Sequence, residues 1–170
     1  MDIFSVAKIG IRYAHFMPIY STPKMPMMLA LSAMDIEYLQ LQSEGILPDI
    51  SNLKPYRCVV VIEQDVSTEW LQKVSNWLCT TGCMYMMAWG KDCSSWDDSV
   101  DDANLEQFNY EIPDDSFVMT TWHENELLKE VFWFAKHFAN REDCEFKNTL
   151  ILHISPLNKA TEICLEFKNA

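Results

Sequence analysis

The run Arg57-Cys-Val-Val-Val-Ile-Glu63 is the feature that most limits how this chain can fold. It is short, apolar and rich in β-branched residues, and it lacks the apolar–polar alternation of a strand with one face in water. Strands that are covered on both faces show this composition, and they occur mainly in parallel sheets. We therefore expect residues 57–63 to form a buried strand with helices packed on both of its faces.

The following segments alternate between helical and strand patterns. Ser67 or Thr68 can cap a helix with one apolar face, and Gly82 ends it. Further strands are predicted over 83–88, 116–120 and 148–154. Further helices are predicted from Ser94 or Ser95, and from Thr121, where Thr121-Trp-His-Glu124 resembles a capping box. This alternation predicts an α/β three-layer sandwich with a mostly parallel central sheet and helices on both faces.

The two ends of the chain are less regular. Residues 1–50 read as an extension with a loose strand over 3–11, a proline-interrupted segment and a helix over 27–41. Residues 55–155 form the repeating strand–helix core, and 163–167 suggest an antiparallel edge strand. With 170 residues, we expect a single α/β domain spanning 1–170.

The charge of the chain restricts the kinds of partner it can have. A formal net charge of −12 argues against nucleic acid and against an anionic membrane surface, since both attract basic patches, and it favours a basic protein partner. The six cysteines fall mostly within apolar runs, and no stretch resembles a secretory leader or a membrane span. We therefore expect a cytoplasmic protein, and the sequence leaves its oligomeric state open.

The segment 84–102 passes from a buried strand through Gly90 into an acidic block. Nine acidic residues and no Lys or Arg occur between Asp92 and Asp115. Ligands of parallel α/β sheets gather at the carboxyl ends of the strands, where Glu63, His123 and His153 also fall. The candidate binding residues are Trp89, Lys91, Asp92, Trp96, Asp97, Asp98, Asp101, Trp122 and His123.

An enzyme site is the alternative interpretation of the same strand ends. Cys93 as nucleophile and His123 as base, oriented by Asp92 or Glu124, would support hydrolysis or small-molecule binding. No local signature surrounds Cys93, so we assign no catalytic residue and favour a protein that is not an enzyme. The aspartates lack the spacing of a calcium loop, the cysteines lack that of a zinc site, and no glycine-rich phosphate loop occurs. We therefore expect no metal and no cofactor.

Three segments resemble a family of small bacterial proteins classed as a domain of unknown function. They are Gly82-Cys-Met-Tyr-Met-Met-Ala-Trp-Gly-Lys-Asp-Cys-Ser-Ser-Trp-Asp-Asp-Ser-Val-Asp101, Phe117-Val-Met-Thr-Thr-Trp-His123 and Leu152-His-Ile-Ser155. The resemblance spans about residues 55–155. It implies a bacterial origin and a shared α/β fold, and it carries no activity to this chain.

Two functions therefore compete. The first is an acidic binding protein of the inhibitor or immunity type, which masks a basic protein through carboxylates and neighbouring tryptophans. The second is a small-molecule-binding protein or a hydrolase-type enzyme that uses Asp92, Cys93, His123 and Glu124. A structural subunit of a larger assembly is a third possibility.

Overall fold

A sheet of five parallel strands forms the centre of the structure, a computed structural model that describes residues 6–7 and 35–170. The parallel strands lie in the spatial order β2-β6-β3-β4-β5, and the two-residue β1 pairs antiparallel with β2. In chain order the strands are β1 (Val6–Ala7), β2 (Asp35–Leu41), β3 (Tyr56–Ile62), β4 (Cys83–Gly90), β5 (Met119–His123) and β6 (Asn148–Ile154).

Two helices cover each face of the sheet, which confirms the predicted three-layer α/β sandwich. Helices α1 (Thr68–Thr81) and α2 (Cys93–Gln107) enclose one hydrophobic core. Helices α3 (Leu128–His137) and α4 (Ala160–Asn169) enclose the other. We refer to these as the α1/α2 face and the α3/α4 face.

The β3 strand shows why its sequence does not alternate. All seven of its residues are buried. Val60 packs in the core of the α1/α2 face, whereas Val59 and Val61 pack in the core of the α3/α4 face. Because both sides of the strand exclude water, both need apolar residues.

The helix predicted after Ser67 is confirmed as α1. The Ser67 side chain accepts a hydrogen bond from the Trp70 amide at 3.1 Å, which satisfies one of the free amides of the first turn. Gly82 ends the helix in the left-handed conformation, with φ of 94°. Val74 and Leu78 are fully buried on the inner side, and each such side chain contributes about 1.5–3 kcal/mol by leaving water.

The predicted helix over 27–41 is wrong where the structure describes it. Residues 35–41 form β2, which pairs with β6 along its whole length. Tyr38 packs on the α3/α4 face, and Leu39 and Leu41 pack on the α1/α2 face. Pairing and two-sided burial override the helical spacing of the apolar residues. Residues 27–34, most of the strand predicted over 3–11 and the proline-interrupted segment lie outside the described residues.

The antiparallel edge strand predicted over 163–167 is also wrong, because these residues belong to α4. Ile163, Cys164 and Phe167 lie on one side of this helix and are buried. Phe167 meets Phe132 of α3 edge-on, with ring centroids 5.1 Å apart. These three residues occur at i, i+1 and i+4, which is a helical spacing. The segment is too short for this spacing to distinguish a helix from a strand in the sequence alone.

The capping box predicted at Thr121 is wrong as well. Thr121, Trp122 and His123 belong to β5, three residues later than the strand predicted over 116–120. Helix α3 begins at Leu128, and Glu130 Oε2 accepts a hydrogen bond from the Leu127 amide at 2.9 Å. The acidic cap therefore exists six residues further along the chain.

Candidate functional site

The carboxyl ends of the parallel strands meet at one edge of the sheet, where the chain turns from β4 into α2. Gly90 has φ of 99°, and a Cβ atom there would lie 2.3 Å from the carbonyl oxygen of Ile62. Only glycine fits this close approach of β4 to β3. The Lys91 amide then donates to the Ile62 carbonyl at 3.0 Å, which fixes the start of α2 at the sheet edge.

The side chains at this turn are mostly engaged with neighbouring segments. The half-buried Trp89 donates its indole N–H to the Glu126 carbonyl at 2.9 Å. Lys91 Nζ lies 2.6 Å from Asp65 Oδ2, in an exposed ion pair of the kind that contributes about 0–1 kcal/mol. Asp92 precedes α2 and is exposed, and its carboxylate makes no capping hydrogen bond.

Cys93 and His123 lie on opposite sides of the sheet. Cys93 is buried in the core of the α1/α2 face, and burial raises the pKa of its thiol, against a smaller effect of the His123 backbone. The His123 ring lies on the α3/α4 face, 5.2 Å from the Phe134 ring, with Nδ1 3.0 Å from Glu126 Oε2. Glu124 is exposed in the following loop. The four residues of the enzyme alternative are therefore not assembled as nucleophile and base.

The aspartates of α2 form two rows. Asp97 and Asp101 face β5, where Thr120 donates its hydroxyl proton to Asp101 Oδ1 at 2.8 Å. The second row is Asp98, Asp102 and Glu106, which lines a groove of about 390 Å³ between α2 and α1. The four-residue spacing within each row follows from the helical repeat.

Asp97 is a buried carboxylate that forms no ion pair with any described residue. It is 6% exposed, and its Oδ1 atom has no hydrogen-bond partner among the described residues. Burial raises the pKa of Asp97, the nearby Thr120 hydroxyl lowers it, and the negative charges of Asp101 and Asp98 raise it further. The pKa of Asp101 is raised in the same way, first by burial.

The exposed carboxylates of α2 have no ion-pair partner in the part of the chain that the structure describes. The salt bridges there join other residues, and none includes a carboxylate of this helix. We call the exposed set the acidic face; it consists of Asp98, Asp101, Asp102 and Glu106.

The tryptophans separate into core and surface. Trp96 is 1% exposed and meets Trp70 edge-on at 6.4 Å, so it stabilises the packing of α2 on α1 and is not available to a partner. Trp122 is 53% exposed. It lies two residues after Thr120 on β5, so both side chains are on the α2 side of the sheet. Trp122 therefore lies on the same side of β5 as Asp101, a member of the acidic face.

A second polar assembly lies where the connections of two neighbouring strands leave to opposite faces. β3 leads into α1 and β6 leads into α4, and these strands are adjacent. Such a switch point is where open α/β sheets commonly bind ligands. Here the Tyr38 hydroxyl lies 2.7 Å from His153 Nδ1, and His153 Nε2 lies 3.1 Å from Glu63 Oε2. Glu63 also accepts hydrogen bonds from Ser155 at 3.1 Å and from Lys159 at 2.6 Å.

The protonation states of this switch-point network follow from burial and hydrogen bonding. Burial lowers the pKa of His153 despite Glu63, and it raises the pKa of Tyr38 to about 12. Burial alone would raise the pKa of Glu63, but the neighbouring Lys159, His153 and Ser155 lower it. A neutral imidazole, a protonated phenol and an ionised carboxylate therefore lie together at the start of α4. His153 Nε2 is close to Glu63 but has no hydrogen-bond partner of good geometry among the described residues.

Sequence reasoning found only part of this network. Glu63 and His153 could be placed at strand ends, because β3 and β6 were predicted correctly. Tyr38 lay in a segment predicted as helix and Lys159 in a predicted turn, so neither could be assigned a place beside them. The only strand signal was the polar–apolar alternation of residues 35–38, which Leu39 interrupts.

The fold and the strand-end surfaces define a parallel α/β sandwich protein with a prominent acidic helix. The chain belongs to the family described as Domain of unknown function (DUF7684), which it matches over residues 36–170. The predicted resemblance to an uncharacterised family is thereby confirmed. No curated protein and no solved structure matches this chain.

Two further findings concern the described part of the chain. Within residues 6–7 and 35–170, no three His, Cys, Asp or Glu side chains are grouped so that they could hold a metal ion. Over the same ranges, no helix combines the length and apolar character needed to cross a membrane.

Proposed function

We propose that this protein binds a basic protein partner through the acidic face and the adjoining Trp122, in the manner of a small inhibitor or immunity-type protein. The observation that carries the proposal is the set of exposed α2 carboxylates with no cation beside them among the described residues. Exposed aromatic rings next to unpaired charge supply the anchor and the complementarity that protein partners use.

The arrangement costs the isolated protein stability. Like charges four residues apart on a helix destabilise it by about 0.2–0.5 kcal/mol per pair, and α2 carries Asp97–Asp101, Asp98–Asp102 and Asp102–Glu106. Acidic side chains near the carboxyl end of a helix are also unfavourable to its dipole. A cationic partner would relieve both effects, so the same residues that weaken the free helix would strengthen the complex.

The enzyme alternative receives no comparable support, because Cys93 and His123 are separated by the sheet. We also propose a cytoplasmic location. All six cysteines are free thiols and five are buried, a pattern that suits a reducing compartment.

Binding of a fluorescent decalysine peptide tests the proposal. The triple variant Asp98→Asn, Asp102→Asn, Glu106→Gln should weaken the affinity about tenfold or more at low salt, since close carboxylates contribute most to the attraction of a polycation. The matched control is Glu142→Gln, Glu145→Gln, Glu166→Gln. It removes the same charge from the loop after α3 and from α4, the two helices of the opposite face. We expect the control to lose less than about threefold.

Equal losses in the two triple variants would overturn the proposal, because the binding would then follow net charge alone. Salt adds a second criterion. Raising the salt concentration should remove most of the difference between the variants, since exposed charges are screened beyond about 10 Å at 0.1 M salt.

A further inference from the structure

The outermost parallel strand, β5, has an open backbone edge. It pairs with β4 on one side, and within the described residues no strand pairs with its other side. Unpaired N–H and C=O groups in such a row are a template for another strand. Natural proteins usually block such an edge with lysine, proline or a bulge. The sequence Met119-Thr-Thr-Trp-His123 contains neither lysine nor proline, and its pairing with β4 has no register shift.

The segment just before β5 is closed, which limits the open edge to the strand itself. Asn104 Oδ1 accepts from the Val118 amide at 3.0 Å, and Asn104 Nδ2 donates to the Ser116 carbonyl at 3.2 Å. The Arg141 guanidinium donates to the carbonyls of Phe117 and Asp114. Side chains therefore satisfy the backbone up to residue 118 and stop where β5 begins.

The side chains of β5 point to two different surroundings. Thr120 and Trp122 lie on the α2 side, where Thr120 donates a hydrogen bond to Asp101. Met119 and Thr121 lie on the other side, and Met119 is 39% exposed. A strand added to this edge would place alternate side chains on the side of Asp101, the member of the acidic face that contacts β5, and of Trp122. Cationic side chains at those positions would meet both carboxylate and indole, which attract a guanidinium group by charge and by cation–π contact.

Charge decides which occupant fits this edge. A second copy of the chain would bring a further −12 charge to a surface that is already acidic, so self-pairing through β5 is opposed. Exposed Glu124 follows the strand, and Asp114 and Asp115 precede it. Both ends of the edge therefore also favour a basic segment.

We propose that β5 accepts an extended, arginine- or lysine-bearing segment of the partner as an additional strand of the sheet. This inference rests on the proposed function and specifies how the partner would be held. Backbone hydrogen bonds would provide affinity, and the acidic face with Trp122 would select alternate cationic side chains.

Two peptides of equal charge test strand addition. One alternates arginine and valine over nine residues, and the other has the same sequence with N-methylated valines, which cannot donate backbone hydrogen bonds. Hydrogen exchange of the full chain, followed by NMR, should show the first peptide slowing exchange of outward β5 amides about tenfold or more. The N-methylated peptide should leave those amides unchanged and bind about tenfold more weakly.

Matched tryptophan variants supply the second arm. Trp122→Lys should weaken the arginine–valine peptide about tenfold or more, whereas Trp133→Lys, at an exposed tryptophan of α3, should not. Equal binding of the two peptides, or no change in β5 exchange, would overturn strand addition. If the triple α2 variant still lost affinity for decalysine, the proposed function would survive that result. Salt-independent dimerisation of the chain through β5 would also overturn the choice of a basic partner.

Discussion

Replacing Asp97 by asparagine should stabilise the protein at neutral pH, because the substitution removes a buried charge that has no ion-pair partner among the described residues. The Asp97 carboxylate is 6% exposed, its Oδ1 atom lacks a hydrogen-bond partner among the described residues, and Asp98 and Asp101 repel it. Asparagine has nearly the same shape, so the packing of α2 against β5 should persist. The expected change is therefore electrostatic.

The gain in stability can be estimated from the cost of burying Asp97 Oδ1 without a hydrogen-bond partner. Leaving a buried polar group unsatisfied costs about 1–3 kcal/mol, and more when the group is charged. The asparagine amide would itself be imperfectly satisfied, so we expect a net gain of about 1 kcal/mol in the free energy of unfolding at pH 7. For a protein of this length, that corresponds to a rise of about 2–4 °C in Tm.

The raised pKa of Asp97 predicts how the stability difference between the variant and the unmodified protein changes with pH. The folded pKa of Asp97 is raised above the ordinary value of 3.8, so the folded state holds this proton more tightly than the unfolded state. Its contribution to stability is fully present below the unfolded pKa and is lost as the pH rises through the folded pKa. The advantage of Asp97→Asn over the unmodified protein should therefore be small near pH 4 and reach its full size by pH 7.

Urea denaturation at several pH values between 4 and 7.5 measures this difference. The exposed neighbour Asp98 provides the control, since Asp98→Asn removes the same charge from the solvent side of α2 and should change stability by less than about 0.5 kcal/mol. A loss of stability in Asp97→Asn at pH 7, or a gain that is the same at every pH, would refute the reasoning.

Two further predictions concern the switch-point network and the cysteines. Tyr38→Phe removes the hydroxyl that bonds His153 Nδ1 and accepts from the Lys159 amide at 3.2 Å, and it should lower the free energy of unfolding by about 1–3 kcal/mol; an unchanged urea midpoint would contradict it. Five cysteines are buried and Cys144 is partly exposed, so one thiol per chain should react rapidly with an aromatic disulfide reagent and Cys144→Ser should remove that fast phase. A fast phase that survives the substitution would show that another thiol is accessible.

The sequence predicted the interior of the fold better than its ends. The β3 and β6 strands lie deep in the sheet and are apolar on both sides, and α1 has both of its terminal signals, so local patterns alone define them. Residues 35–41 and 163–167 are short segments whose apolar spacing is compatible with a helix or with a strand. Residues 35–41 form a strand because they pair with β6, and residues 163–167 form a helix because they pack against α3. Neither contact is a local property of the sequence.

The sequence likewise predicted only part of the candidate site. Charge is a local property, so the acidic helix could be read directly from its composition. Exposure of a tryptophan is not local. Trp96 is buried because α1 covers α2, whereas Trp122 is exposed because no strand lies beyond β5 in the described residues. Strand order has no signature in a single sequence, and the two residues could not be distinguished without it.

The two polar assemblies of this protein differ in what they leave unsatisfied, and that difference bears on where a partner binds. The switch-point network lies where a ligand would be expected from topology, yet Glu63 already holds Ser155 and Lys159, and His153 already meets Tyr38. A ligand there would have to replace hydrogen bonds of about equal strength, so it would gain little. In the acidic face only Asp101 has such a partner, Thr120, and the outer backbone groups of β5 have none among the described residues. Bonds formed at this second surface would replace only water, and it is there that a basic, extended partner gains most.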